Sequence, residues 1–163
     1  MSQISDPSSI TLVVFDVDGV FTDGRFLLGP QGEEYKTFHT RDGHGVKSVL
    51  ASGRQVAIIS GRKAQAVVHR MAELGVEHVF QGCSDKQAVL TALLDRLAIS
   101  PQNVAFMGDD LPDLEVMRSV GLPVTVADGA PEIRAMARIV TKAPGGHGAV
   151  REFCDMLIGN AEP

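Results

Sequence analysis

Two aspartates one residue apart, Asp16 and Asp18, close the apolar run Ile10-Thr11-Leu12-Val13-Val14-Phe15 and precede Gly19. A short run rich in Val, Ile and Phe has the composition of a strand buried on both faces of a parallel sheet. Open parallel sheets take their ligands beyond the carboxyl ends of their strands, so both carboxylates would stand at the mouth of the sheet. Like charges this close resist ionising together unless a positive group joins them, and a divalent cation is the obvious partner. Three further polar groups follow apolar runs in the same way. Ser60 ends the run 55–59, Lys86 stands just past the run 76–80, and Asp109 follows the run 104–107 and Gly108. Asp16, Asp109 and the backbone carbonyl of Asp18 would make a hard, all-oxygen site of the kind Mg²⁺ prefers.

The elements that must position these groups can be read along the chain. Two short runs around Gly29-Pro30-Gln31-Gly32 predict a β-hairpin over 25–38, marginal alone and so packed on its own sheet or on another chain. From Gly43 the period becomes helical, with Val46, Val49 and Leu50 on one stripe and Gly53 as the stop. Strands at 55–59, 76–80, 104–107, 124–126 and 139–140 alternate with helices at 64–74, from Asp85-Lys86 to the break at Ser100-Pro101, at 112–119, at 130–137 with Pro131 in its first turn, and at 149–158. The stretch Gly145-Gly146-His147-Gly148 is expected to be a flexible loop. This alternation implies an α/β fold, a doubly wound (Rossmann-like) parallel sheet with a β-hairpin insertion. The expected organisation is an N-terminal tail (1–9), a single domain (10–158) and a C-terminal tail (159–163).

The stretch Asp16-Val17-Asp18-Gly19-Val20-Phe21-Thr22 resembles the first motif of the haloacid dehalogenase superfamily, whose members are mostly phosphatases and phosphomutases. Ser60-Gly61, Lys86 and Gly108-Asp109-Asp110 stand in the order of its other three motifs, so the resemblance spans almost the whole chain. It implies a phosphatase in which Asp16 attacks phosphorus to give an aspartyl-phosphate, while Asp18 gives a proton to the leaving oxygen and later takes one from water. It implies that Ser60 and the amide of Gly61 hold the phosphoryl oxygens, and that Lys86 balances charge between Asp16 and the transferring group. Mg²⁺ would be held by Asp16, Asp18 and Asp109, with Asp110 and Asp113 behind them orienting Asp109, waters or Lys86. Alone, Gly-Asp-Asp-Leu-Pro-Asp would equally suit a helix start with acids favoured by its dipole.

Superfamily members usually carry a cap domain, but the hairpin and one helix use up the interval from Asp18 to Ser60, and one helix and one strand use up that from Lys86 to Asp109. The expectation is a capless enzyme that closes its site by homo-oligomerisation, as a homotetramer in which the hairpin partly covers a neighbour's site. The capless subgroup contains phosphatases of eight- and nine-carbon sugar acids. Asp-Gly-Val-Phe-Thr-Asp-Gly, Phe-His-Thr-Arg-Asp-Gly-His-Gly, Ser-Gly-Arg-Lys and Gly-Gly-His-Gly-Ala-Val-Arg-Glu look most like the eight-carbon branch, whose members act on an octulosonate 8-phosphate in lipopolysaccharide synthesis. The rival is a nine-carbon, sialic-type acid 9-phosphate. That branch tends to carry Glu at the position of Arg62 and Lys at that of Glu73, and Arg62 and Glu73, at the start and in the third turn of one helix, are expected here to pair across the site entrance. Thr40, Asp42 and Gly43, on the loop before the first helix, look like substrate contacts. Arg70 suits a sugar carboxylate, in its own or an adjacent subunit, because its fork grips carboxylate at two points. His39, His44 and His147 are left outside the catalytic set. The loop 145–148 and the tail after Glu152 are expected to fold over a site.

Composition narrows the alternatives. The chain has 163 residues, 44% hydrophobic and 21% charged, enough for one sizeable core. A net charge of -5 without a basic run argues against nucleic acid as the partner. Cys83 and Cys154 have no metal-type spacing, which suits a reduced cytoplasmic protein with Cys154 filling a core. The polar first nine residues do not suit a signal peptide, and no run has membrane-spanning length. A phosphoacceptor receiver domain, the rival from another class, also gathers aspartates, a hydroxyl and a lysine at strand ends. Its lysine comes last, whereas here Lys86 precedes Asp109.

Overall fold

The computed structural model describes residues 6–159. A 3₁₀ turn, Pro7–Ser9, leads into β1 (Leu12–Phe15), and a hairpin of β2 (Leu27–Leu28) and β3 (Glu34–Tyr35) follows. The chain continues through α1 (Thr40–Ala51), β4 (Gln55–Ile59), α2 (Gln65–Leu74), β5 (His78–Phe80), α3 (Lys86–Leu97) and β6 (Val104–Met107). It ends with α4 (Leu114–Arg118), β7 (Leu122–Thr125), α5 (Pro131–Met136), β8 (Ile139–Val140) and α6 (Ala149–Leu157). Six strands form one sheet in the order β5-β4-β1-β6-β7-β8, and every neighbouring pair is parallel. This is the doubly wound, Rossmann-like order, in which the chain runs outward on one side of β1 and then returns to build the other side.

The apolar run of β1 has a direct cause in this topology. Successive side chains of a strand point to opposite faces, and helices cover both faces here. Val13 and Phe15 join Val46 and Val49 of α1, Met71 of α2 and Phe153 of α6 in one core. Leu12 and Val14 join Leu90 and Leu93 of α3, Met117 of α4 and Ile133 of α5 in the other. Phe15 is buried edge-on between Phe21 and Phe153, with ring centroids 5.2 and 6.4 Å away. Burying a ring of this size contributes about 1.5–3 kcal/mol, so the sheet end that carries Asp16 is held firmly.

Four local expectations differ from the structure. The hairpin strands are only two residues each and pair with each other, apart from the main sheet. Leu27, Leu28 and Tyr35 lie exposed on them, and among the described residues no further strand extends their pairing. The first helix starts at Thr40, not at Gly43, because the ring of His39 accepts from the Arg41 amide at 3.2 Å and caps it. Arg62 stands on the turn before α2, not on the helix with Glu73. The glycine-rich stretch 145–148 is not free: the Gly146 amide donates to the Val20 carbonyl at 3.1 Å, and the Gly145 amide to Asp128 at 2.9 Å. It packs under the turn 19–23, where a Cβ at Gly145 would overlap the Gly19 carbonyl. Tail residues 1–5 and 160–163 lie outside the described residues. Among the described residues no helix is long and apolar enough to cross a membrane.

Candidate active site

Asp16 leaves β1 at the centre of the sheet, its amide still donating to the Met107 carbonyl of β6 at 3.0 Å. That bond ties the first acidic residue to the strand that delivers Asp109. Between them the backbone turns at Gly19, with φ +84, and a Cβ there would overlap the Asp109 carboxylate. Gly108 serves the same end. A Cβ on it would come within 2.6 Å of Asp113, which folds back beneath it to accept from the Asp109 amide at 3.1 Å. The two glycines thus let carboxylates from separate turns meet. One oxygen from each of Asp16, Asp109 and Asp113 lies within 4.8 Å of the others, a donor set suited to a hard divalent cation.

Lys86 opens α3, capped by Asp85, whose carboxylate accepts from the Ala88 amide at 2.9 Å. Its Nζ lies 3.0 Å from Asp16 Oδ2 and 2.6 Å from Asp113 Oδ1, and it is nearly buried. Burial alone would pull its pKa down, but the charges of Asp16 and Asp113 outweigh that and hold it above its ordinary value. One ammonium does not balance three carboxylates. Asp16 is pushed up to about 7 by burial and then by Asp113, against the opposing pull of Lys86. Asp109 is pushed up to about 8 by burial and by the charges of Asp16, Asp113 and Asp110. The cluster therefore lacks positive charge, and a divalent ion would supply it.

Ser60, at the end of β4, is 2% exposed and held by backbone bonds to Phe80 and Cys83. Asp16, Asp18, Ser60, Gly61, Arg62, Lys86, Asp109, Asp110 and Asp113 line one cleft of about 500 Å³, large enough for a sugar phosphate. A larger, mostly apolar groove of about 830 Å³ beside the edge strand β5 holds none of the acidic cluster, so size alone does not locate the site. Asp110 caps the 3₁₀ turn Leu111–Asp113 reciprocally with Asp113.

Some residues singled out from sequence stand elsewhere. Thr40, Asp42, Gly43 and Arg70 do not line this cleft. Asp42 is buried in the first turn of α1 and accepts from the Arg151 amide at 2.9 Å; burial raises its pKa. The Arg70 guanidinium lies against Gly43 and pairs with Glu73 at 2.8 Å. The expected Arg62–Glu73 pair does not form, because Arg62 instead gives Nε to Glu34 Oε1 at 3.0 Å and stacks 4.2 Å from the Phe26 ring. The side chain of Asp18 turns to Lys36, which also lies 3.2 Å from Glu34. Lys36 and Glu34 were not read from sequence as site residues. The signal was partial: they alternate along β3 and its continuation, and so share a face, opposite exposed Tyr35.

Comparison with known proteins agrees with this geometry. The family model of the haloacid dehalogenase-like hydrolases matches residues 78–153. The chain is 50% identical over 155 residues to the 3-deoxy-D-manno-octulosonate 8-phosphate phosphatase of Escherichia coli K12, covering 95% of this chain and 82% of that one. A crystal structure of the phosphatase of that name from Yersinia pestis superposes with TM-score 0.92 at 45% identity, covering 94% of this chain and 83% of that one. Another, from Moraxella catarrhalis in complex with a magnesium ion, a phosphate ion and a KDO molecule, superposes with TM-score 0.91 at 38% identity, covering 94% and 88%.

Proposed function

The chain belongs to the haloacid dehalogenase-like hydrolases, in the family of the 3-deoxy-D-manno-octulosonate 8-phosphate phosphatases, and from that premise we propose that it hydrolyses this ester to the free sugar acid and phosphate. The convergence of Asp16, Asp18, Ser60, Lys86 and Asp109 on one cleft carries the reading. Unaided hydrolysis of phosphate monoesters is so slow that enzymes accelerate it by up to roughly 10²¹-fold. The carboxylate of Asp16 attacks phosphorus and expels the sugar oxygen, to which Asp18 gives a proton. Asp18 then takes a proton from water, which attacks the same phosphorus and frees Asp16 and phosphate. The Ser60 hydroxyl and the Gly61 amide bind phosphoryl oxygens, and the Lys86 ammonium lies where charge builds up next to Asp16. Asp16, Asp109 and the backbone carbonyl of Asp18 would hold Mg²⁺, with Asp113 and Asp110 fixing Asp109, and the bound ion would neutralise the carboxylates and the phosphoryl group. The donor chemistry of the cluster and its shortage of positive charge support this.

On this reading residues 10–158 form one catalytic domain without a cap, in a cytoplasmic enzyme of lipopolysaccharide synthesis. The missing wall of the cleft comes from a second copy in a homotetramer. Exposed Leu27, Leu28 and Tyr35 on the hairpin support association. Exposed Thr40 and half-buried Arg70, which do not line their own cleft, would serve substrate held by a neighbour, with buried Asp42 and Gly43 shaping the turn that carries Thr40 and with Arg62 at the rim of the cleft itself. Phosphate release from a panel of sugar phosphates, with Mg²⁺ and with chelator, tests the function. The octulosonate 8-phosphate should turn over fastest, and chelation should stop it. Faster release from a nine-carbon acid 9-phosphate would overturn the substrate, and no Mg²⁺-dependent release from any ester would overturn the reaction.

A further inference from the structure

The hairpin also contacts a residue that lines its own chain's cleft. Lys36, just past β3, has its side chain 1% exposed and meets Oδ1 of Asp18, a residue that itself lines the cleft. A buried ammonium needs its charges met. Glu34 meets it from the other side at 3.2 Å, and the same carboxylate holds Arg62. The Phe26 ring lies 5.5 Å from Lys36 Nζ and 4.2 Å from the Arg62 guanidinium, flanking both cations. Asp18, Lys36, Glu34 and Arg62 thus form one chain of charges from the reacting end of the cleft to its rim. None of this is needed to hold the main sheet together, because the hairpin does not pair with it.

We infer that Lys36 is a positioning residue for Asp18, and that Glu34 sets Lys36 in place. The inference rests on the reading of Asp18 as the group that exchanges a proton with the leaving oxygen. A carboxylate offers two oxygens, and Lys36 engages Oδ1. That contact leaves the Asp18 side chain outside the Asp16–Asp109–Asp113 cluster, where a bound cation would attract it. The other oxygen is left to the departing group. A proton donor needs this placement, since misplacement by about 1 Å can cost on the order of 10²-fold in rate.

Leaving groups separate positioning of a proton donor from mere support of the fold. A sugar alkoxide needs a proton as it departs, whereas p-nitrophenolate hardly does. The first step alone, release of the alcohol from an alkyl sugar phosphate and of p-nitrophenolate from p-nitrophenyl phosphate in a single turnover, is measured for the full chain, for Lys36→Met, for Lys36→Arg and for Asp18→Asn. Lys36→Met is expected to lose roughly 10²-fold in the rate of this first step on the sugar phosphate and only a few-fold on the aryl ester, the same pattern as Asp18→Asn. Lys36→Arg, which keeps the charge but not the point of contact, should show the same selectivity in weaker form and serves if Lys36→Met does not fold. Equal losses on both esters, or none, would overturn the role of Lys36. If Asp18→Asn itself loses equally on both, the reading of Asp18 fails first and the role of Lys36 goes with it.

Discussion

Asp16 and Asp109 do the most with the least. Both carboxyls are held above their ordinary 3.8, at about 7 and about 8, by burial and by their crowding with Asp113. The sign of the consequence follows from proton counting. A folded chain that keeps protons the unfolded chain has released loses stability as pH rises. The cost of these two groups is absent below about pH 4, grows as pH passes through their unfolded value toward about 8, and is complete above that. Metal-free protein should therefore melt at a lower temperature at pH 8.5 than at pH 6. Mg²⁺ should raise the melting temperature more at pH 8.5 than at pH 6, because protons compete for the same oxygens. Calorimetry with and without chelator checks both. A Mg²⁺ effect that shrinks as pH rises would count against a cation site built on these carboxylates.

The same carboxylates depend on turns whose shape is set by glycine. Gly19, at φ +84, cannot carry a side chain without displacing Asp109. Gly19→Ala should cost about 1–2 kcal/mol from the left-handed backbone alone. By shifting Asp109 it should also raise the Mg²⁺ needed for half-maximal rate by about tenfold or more. Gly53 makes the control, since its φ is +88 but its Cβ would meet open space. Gly53→Ala should lose comparable stability and leave the Mg²⁺ requirement unchanged, as titration of both variants would show. These elements also explain what the sequence disclosed. Asp16, Ser60, Lys86 and Asp109 were legible because each follows an apolar run, and a parallel sheet brings every such end to one edge. Asp113 was legible as an orienting group, but not as a member of the acidic cluster, because only the close approach over Gly108 brings it there. Lys36 and Glu34 are not legible as site neighbours, because alternation in so short a hairpin shows that the strands pair but not which face turns toward the sheet's open edge. The Arg62–Glu73 pair is absent because Glu34 and Phe26 of the hairpin hold Arg62, and Arg70 takes Glu73. In the sequence Gly43 has the character of a helix boundary, which leaves Thr40 and Asp42 on a loop, whereas in the fold its lack of a side chain makes room for Arg70.

The whole molecule is a sheet whose reacting edge is open, with a short hairpin beside it. Leu27, Leu28 and Tyr35 keep 72%, 65% and 56% of their surface exposed, far more than apolar side chains hold in a packed core. The proposed homotetramer predicts that Leu28→Asp, which puts a charge on that patch, gives smaller species in sedimentation than the unchanged chain and lowers turnover with it. A variant that sediments as an active monomer would show that no neighbour completes the cleft. The central claim, that separate turns meet at one edge beside an attacking carboxylate, has a more direct test. In Asp18→Asn an aryl phosphate can still leave, but the water that should free the enzyme lacks its base. Acid-quenching that variant with ³²P-labelled p-nitrophenyl phosphate and Mg²⁺ should trap a hydroxylamine-labile phosphoryl group on Asp16, lost when Asp16→Asn is added or Mg²⁺ is chelated. Label found on another residue, or turnover that persists with Asn at position 16, would contradict it.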